Sequence, residues 1–121
     1  MDDSFSSNIS FYLKSSRVHV FVEALRGMGC PSRICFLINK EGNSLLMVPY
    51  GKRDFISHAV PKDVYSGCDC MEVSSLKLCR IIANLHGWEM DKSYRVPGTV
   101  YPEQRMAIFY LPKAVIINRT E

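Results

Sequence analysis

The sequence lacks any apolar run close to the ~20 residues that a membrane-spanning helix requires, so no such helix is predicted. Residues 1–14 carry Asp2 and Asp3 where a signal peptide has positive charge, and they contain no long apolar core. These absences predict a cytoplasmic protein that makes no membrane contact. The same segment is polar and rich in serine, so we expect it to be a loose N-terminal lead-in to the folded chain. Phe5, Phe11, Tyr12 and Leu13 indicate that its second half docks on another surface, for which a second subunit is one candidate.

Familiar catalytic motifs are missing as well. There is no G-x-S-x-G motif and no phosphate-binding loop, since Gly27-Met28-Gly29 is only a turn with two glycines. A thiol enzyme needs a histidine base beside its cysteine, but His19, His58 and His86 are each isolated in the sequence. These absences favour a protein that is not an enzyme and holds no cofactor. A site assembled from distant segments stays open.

The five cysteines are an odd number, and without an export signal they are expected to be reduced thiols. Cys68 and Cys70, together with Cys79 and His86, could be drawn as a zinc site. Structural zinc prefers ligand pairs spaced by about two to four residues, and this set has one compact pair. We therefore predict no metal ligand and keep a cysteine- or zinc-dependent enzyme as an alternative. Cys35 and Cys79 lie in apolar patterns and are expected to be buried.

The chain does contain enough apolar sequence for one core. Its 121 residues are 47% apolar, which predicts a single domain over 1–121. Apolar residues at helical spacing predict a long helix over about 75–86 that packs this stripe on the core. A serine at position 74 or 75 is expected to cap the helix, and Gly87 to end it. The stripe consists of Leu78, Ile81, Ile82 and Leu85.

Short apolar runs elsewhere predict strands, with a helical turn at 23–26 and hairpin joints at 39–44 and 102–105. Pro97-Gly98 is expected to interrupt one strand. The predicted fold class is α+β, with a mainly antiparallel sheet and two strand–helix–strand–strand units, because the joints between successive strands are short. The predicted strands cover residues 17–22, 34–38, 45–48, 55–60, 71–73, 94–96, 106–111 and 114–117.

Positive charge is concentrated in the first part of the chain. The net charge is +3, but the segment 14–53 contains seven bases and two acids, which gives it +5. The segment 54–121 contains eight of each. A basic field of this kind attracts polyanions such as nucleic acid, although ordinary surface solubility also explains a charge of this size.

Residues 17–50 resemble the DNA-binding hairpin of AbrB-type transcription regulators. The resemblance lies in Arg17-Val18-His19-Val20, in Val22-Glu23-Ala24-Leu25-Arg26 with Gly29, and in the two apolar runs that follow. It implies that such segments from two chains interleave, and that Arg17 and Arg26 contact phosphates or bases. The sequence departs from that family's usual pattern at Phe21, where the family usually has proline.

The order of elements over the whole chain is also similar to one domain of a DNA sliding clamp. In such a domain two strand–helix–strand units share a continuous sheet. This resemblance implies basic helices that face DNA, with Arg26, Lys77 and Arg80 as the contacts here. A ring would then require several such domains.

Taken together, these observations predict a non-catalytic DNA-associated module, possible partners being double-stranded DNA and a second copy of the chain. A homodimer is expected because an edge strand such as 106–111 needs covering in so small a domain. The alternative from a different class is a protein-interaction module that uses its edge strands. The residues expected to contact nucleic acid are Arg17, Arg26, Arg33, Lys77 and Arg80.

Overall fold

The computed structural model describes residues 3–52 and 57–117. A nine-stranded sheet, antiparallel at every described pairing, curves into a nearly closed barrel and is accompanied by two α-helices, which confirms the mixed, mainly antiparallel fold class. The spatial order of the strands is β5-β3-β4-β8-β7-β1-β2-β6, and β9 pairs with β7. The elements are β1 Phe5–Tyr12, β2 Arg17–Phe21, α1 Val22–Gly27, β3 Arg33–Ile38, β4 Ser44–Pro49, β5 Ser57–Ala59, β6 Cys70–Ser74, α2 Leu76–His86, β7 Ser93–Tyr101, β8 Met106–Tyr110 and β9 Val115–Ile116.

The expectation of a loose lead-in over residues 1–14 is wrong from Phe5 onward, and the second half of the segment docks into the sheet of its own chain. β1 is an inner strand of the sheet, which pairs with β2 on one side and β7 on the other. Ile9, Phe11 and Leu13 are almost fully buried. The serines that made the segment look unstructured are buried with partners, since Ser7 donates to Glu23 and Ser10 accepts a hydrogen bond from Arg95.

The long helix forms where the sequence predicts it. Ser75 is the N-cap, and its side-chain oxygen accepts a hydrogen bond from the backbone N–H of Leu78 at 3.2 Å. Gly87 ends α2 in the left-handed conformation, at φ 64° and ψ 30°. The cap and the terminating glycine therefore both act as predicted.

The expected apolar face of α2 is wrong in part. The residues of α2 that are buried are Cys79, Ile82 and Ala83, whereas Ile81 is 39% exposed and Leu85 is 54% exposed. Of the predicted stripe, Ile82 is fully buried and Leu78 packs against the core. The small side chains of Cys79 and Ala83 are buried beside them, so the helix is rotated away from Ile81 and Leu85. This rotation leaves Ile81 and Leu85, which are four residues apart, on an outward face.

Pro97 and Gly98 do not interrupt β7, which is continuous from Ser93 to Tyr101. On one side of β7 the neighbouring strand changes along its length. β9 pairs with Tyr94 and Arg95, and β8 pairs with β7 from Gly98 onward. Pro97 falls in the gap between these two partners. A residue without an N–H is therefore tolerated inside the strand.

The expectation that 106–111 is an edge strand is also wrong. β8 covers Met106–Tyr110 and pairs with β4 on one side and with β7 on the other. Within residues 3–52 and 57–117 the sheet ends at β5 and β6 instead. The homodimer was predicted because an edge strand at 106–111 would need covering, and this reason no longer applies. The predicted strand at 55–60 is described only at Ser57–Ala59, because 53–56 lie outside the described residues.

The sheet has two faces of different character. Buried and partly exposed residues alternate along β7, and the buried ones belong to the inner face. Both helices lie on this inner face: Gly27 of α1 approaches Val100, and the buried residues of α2 belong to the main core. The opposite surface of the strands is called the outer face below. In the described part of the chain, no helix is long and apolar enough to cross a membrane.

Candidate functional site

Arg17 lies at the start of β2, and its charge is compensated. Its guanidinium Nη1 atom lies 3.1 Å from Oε1 of Glu72 on the neighbouring strand β6. His19 contacts the same carboxylate through Nε2 at 3.0 Å. Glu72 therefore holds two potentially cationic side chains, and Arg17 is poorly suited to contact a phosphate.

Arg26 and Arg33 lie at the opposite end of β2 from Arg17, around the loop that joins α1 to β3. Arg26 donates through Nη2 to the backbone oxygen of Tyr65 at 2.9 Å. The hydroxyl of Tyr65 donates to the backbone oxygen of Pro31 at 2.7 Å, two residues before Arg33. Burial, and secondly the neighbouring Cys30 thiol, raise the pKa of Tyr65 to about 12, so this hydroxyl stays protonated as a donor. The loop 60–69 thereby ties Arg26 to the start of β3.

Arg105 joins these two arginines, and it is not among the residues predicted from the sequence. It precedes β8 in the left-handed conformation, at φ 54°. Its Nε donates to the backbone oxygen of Met28 at 3.1 Å. Gly29 leaves the space for this arginine, because a Cβ there would lie 3.2 Å from Nε of Arg105. The hairpin joint at 102–105 is predictable, but nothing local indicates that it packs on residues 28–29.

Arg33 and Arg105 line one cavity of about 210 Å³. A water molecule occupies ~30 Å³ in the liquid, so the cavity has room for a ligand group larger than a single water. We call it the basic pocket, and its lining consists of Pro31, Ser32, Arg33, Pro49, Tyr50, Gly51 and Arg105.

Both arginines of the basic pocket are positioned by neutral acceptors. Arg33 donates through Nε and Nη2 to the hydroxyl of Ser57, at 3.0 and 2.8 Å. Neither Arg33 nor Arg105 forms an ion pair with a described carboxylate. Burial, and then the charge of Arg33, lower the pKa of His58. Among the residues that the structure describes, no carboxylate compensates the positive charge of this pocket, which suits an oxyanion.

Lys77 and Arg80 do not join the pocket. Both lie at exposed positions of α2, whose N-cap Ser75 donates its backbone N–H to Ser16, next to Arg17. The five residues predicted to contact nucleic acid therefore separate into two groups. Arg26 and Arg33 lie with Arg105 at one end, whereas Arg17 lies at the end where the helix carrying Lys77 and Arg80 begins.

The residues of the zinc alternative are not brought together. Cys68 is exposed, and its thiol contacts the backbone oxygen of Asp63. Cys79 is buried inside α2, and burial raises the pKa of its thiol to about 11. His86 contacts the backbone oxygen of Gly42 at 2.7 Å through Nε2. Over residues 3–52 and 57–117, no group of three or more His, Cys, Asp or Glu side chains could hold a metal ion. Cys35 and Cys79 are buried, as predicted.

One row across the sheet has the composition of a hydrolase triad. Ser10, His19 and Glu72 are direct cross-strand neighbours on β1, β2 and β6. However, Ser10 is 1% exposed, and its hydroxyl accepts a hydrogen bond from Nε of Arg95 at 3.3 Å. A nucleophile must reach its substrate, and this hydroxyl does not. The row is therefore a structural arrangement.

Glu72 predicts a small pH dependence of stability. The hydrogen bond from His19, and then the contacts of Arg17, lower the pKa of Glu72. A depressed carboxyl pKa contributes stability above the ordinary value of ~4.3, and this is lost as pH falls through the lowered pKa. We expect Glu72→Gln to lower the free energy of unfolding by less than ~1 kcal/mol at pH 7 and to have less effect near pH 3, because the pair is exposed.

Urea unfolding at pH values between ~3 and ~7 measures this effect. Glu89→Gln is the matched control. Glu89 pairs at 3.5 Å with Lys92, which is three residues away, so this ion pair does not link two strands as the pair of Arg17 and Glu72 does. An equal loss of stability at all pH values in the Glu72 variant would contradict the explanation by titration.

Comparison with known proteins adds no relationship. No family model matches the sequence, and neither curated proteins nor solved structures gave a significant match. The resemblances to AbrB-type regulators and to a clamp domain gain no support from these comparisons.

Proposed function

We propose that this protein is a non-catalytic module that binds the phosphates of nucleic acid through the basic pocket. The observation that carries the proposal is the pairing of Arg33 and Arg105 in one cavity, where their hydrogen-bond partners among the described residues are neutral. Each guanidinium uses part of its donor set on these partners to fix its position, and its other N–H groups suit a ligand. Fixed, uncompensated guanidinium groups are the usual protein partners of phosphate oxygens.

Arg26 extends the same basic end of the molecule. It is exposed, and its described partner is a backbone oxygen. Lys52 is also exposed and follows Gly51 of the pocket in sequence. The proposal thus keeps Arg26 and Arg33 from the sequence prediction, adds Arg105, and gives no contact to Arg17. Double-stranded DNA, expected from the sequence, and single strands both offer such phosphates.

The test is the binding of fluorescent oligonucleotides, measured by anisotropy over ~50 to ~200 mM salt. We expect Arg33→Ala with Arg105→Ala to weaken binding about tenfold at low salt and to reduce the slope of log K against log salt by about 2, one for each phosphate contact. Lys77→Ala with Arg80→Ala removes the same charge from α2 and is the matched control. It should change affinity by less than about threefold.

Two outcomes would remove the proposal. Absence of binding at ~50 mM salt would do so, because phosphate contacts are strongest there. Equal weakening by the two double variants would show that only net charge matters. Thermal unfolding of each variant checks that the fold is kept, and Arg105→Ala alone, at an exposed position, leaves the bonds of Arg33 intact.

A protein-interaction module is the second candidate, and the exposed stripe of α2 favours it. Ile81 and Leu85 are 39% and 54% exposed on one helical face. The described edges β5 and β6 also have strand partners on one side each. If nucleic acid does not bind, replacing Ile81 and Leu85 with serine should abolish a discrete protein complex that Arg33→Ala leaves intact.

A further inference from the structure

The outer face carries two tyrosines at the ends of β7 and β8. Tyr101 ends β7 and Tyr110 ends β8, and their hydroxyl oxygens are 3.5 Å apart. Both are partly exposed, and both occupy outward positions in strands whose alternate residues are buried. Thr99 and Ile108 lie directly opposite each other in the same ladder. The two tyrosines thus enclose a small apolar and hydroxyl-bearing area of the sheet.

The apolar surface continues onto the next strands. Ile108 is paired with Leu46 of β4, and Leu46 is paired with Leu37 of β3. Leu37 is 48% exposed, so the row of paired aliphatic side chains continues to an exposed position on β3. Both helices occupy the inner face, and so they leave this part of the outer face uncovered. An open sheet surface with aromatic and aliphatic side chains results.

Positive charge flanks this surface at both ends. Arg105 directly precedes β8 beside the Tyr101–Met106 pair, and it lines the basic pocket. Lys113 and Tyr110 line a second cavity of about 240 Å³ at the other end of β8. Hydrogen bonds from Tyr101 and Thr99, and lastly the charge of Lys113, lower the pKa of Tyr110. A ligand along β8 would therefore meet a cation, aromatic rings and another cation in turn.

We propose that single-stranded nucleic acid lies along the outer face of β7 and β8, with bases stacked on Tyr101 and Tyr110 and a phosphate in the basic pocket. This inference rests on the proposed function and specifies its ligand. Aromatic side chains on an open sheet bind unpaired bases, because every base has a stacking face, whereas the bases of a duplex are already stacked on each other. If the ligand were instead the apolar surface of another protein, the cations at the two ends of the outer face would have no partners.

The dimensions of β8 fit such a ligand. From Met106 to Tyr110 the strand rises ~14 Å at ~3.4 Å per residue. Stacked nucleotides rise ~3.4 Å each, so the same length corresponds to about four nucleotides. This is within the range of about 4–16 nucleotides that small single-strand binding folds occupy.

The test compares a fluorescein-labelled twelve-nucleotide oligothymidine with a duplex hairpin of mixed sequence at low salt. We expect the wild-type chain to bind the single strand at least ~10-fold more tightly than the duplex. Tyr101→Leu with Tyr110→Leu keeps apolar side chains without rings and should weaken single-strand binding ~10-fold or more, with less than about twofold effect on the duplex. Tyr101→Phe with Tyr110→Phe keeps both rings and should retain most of the affinity.

The outcomes separate this inference from the proposed function. If the arginine double variant weakens binding but the leucine double variant does not, phosphate binding stands and stacking is overturned. If the phenylalanine variant loses as much affinity as the leucine variant, stacking is likewise overturned. If nothing binds at low salt, both proposals fall. Photocrosslinking of bromouracil-containing oligonucleotide to the unmodified protein needs no variant: adducts at Tyr101 or Tyr110 are expected, and adducts confined to other surfaces would contradict the inference.

Discussion

Replacing Gly98 with alanine is expected to destabilise the protein by about 3 kcal/mol or more. Gly98 is buried in β7 directly opposite Phe109 of β8. A Cβ at this position would clash with the backbone oxygen of Ile108 and would lie 2.9 Å from Cα of Phe109. Both obstacles are backbone atoms of a paired strand, so relief requires β7 and β8 to separate. That separation would disturb β4 as well, since β8 pairs with it on the other side.

Urea unfolding followed through Trp88, the one tryptophan of the chain, measures this loss. Gly51→Ala is the matched control, because a Cβ there meets nothing within 4 Å. We expect the control to change the free energy of unfolding by less than ~0.5 kcal/mol. If Gly98→Ala were as stable as the control, the close approach of β7 and β8 would be wrong, and with it the placement of Tyr101 relative to Tyr110.

The sequence predicts where the helix α2 begins and ends better than it predicts which side of the helix is buried. The helical spacing and the cap locate α2 to within a residue, because caps and end signals are local. Which side of α2 is buried depends on its packing partners, and the small residues Cys79 and Ala83 allow an approach that a hydrophobic count does not anticipate. Ile81 and Leu85 therefore look like core residues in the sequence and are exposed in the structure.

In β1 the sequence misleads in the opposite way, because serines that look exposed in the sequence are buried in the structure. Its serines reduce the apolar signal, yet Ser7 and Ser10 are buried because Glu23 and Arg95 supply their hydrogen bonds. The burial of these two serines therefore depends on partners that are 16 and 85 residues away in the chain. A buried hydroxyl with a partner is tolerated, whereas one without a partner is costly. No local pattern distinguishes the two cases.

The candidate site was half predictable for a related reason. Arg26 and Arg33 stand out because the first part of the chain is basic, and the structure places them at one end of the molecule. Arg105 lies in a segment of zero net charge, and only the contact of its side chain with Met28 and Gly29 brings it into the pocket. Arg17 looks equally available in the sequence, but Glu72 compensates it from 55 residues away. Charge counts identify candidates, and pairing decides which of them remain.

Phe11→Ala is expected to lower the free energy of unfolding by about 4 kcal/mol. Phe11 is fully buried near the C-terminal end of β1 and pairs with Val18 and Tyr94 on the neighbouring strands. Its ring meets Trp88 edge-on at 5.6 Å, and Trp88 stacks on Tyr94 at 4.4 Å. Truncation leaves a cavity beneath β1, which lies between β7 and β2 in the sheet. It also removes an aromatic pair worth ~1 kcal/mol beyond its buried area.

A loss of this size is a large part of the 5–15 kcal/mol that typically separates folded from unfolded domains. For 121 residues it corresponds to a decrease in melting temperature of about 15 °C. Phe21→Ala is the matched control, because Phe21 is partly exposed on the outer face, where the guanidinium of Arg95 lies 5.9 Å from its ring centre. We expect it to cost about 1 kcal/mol.

The signal of Trp88 in the folded protein shows whether the loss of stability comes from the core around Phe11. Its environment should change in the Phe11 variant already in the native state, and stay unchanged in the Phe21 variant. If Phe11→Ala does not fold, Phe11→Leu should still lose about 1 kcal/mol and the edge contact to Trp88. Equal costs for Phe11→Ala and Phe21→Ala would mean that β1 is not central to the core. The sheet order that places β7 beside β1, and the outer face with its two tyrosines, would then need to be redrawn.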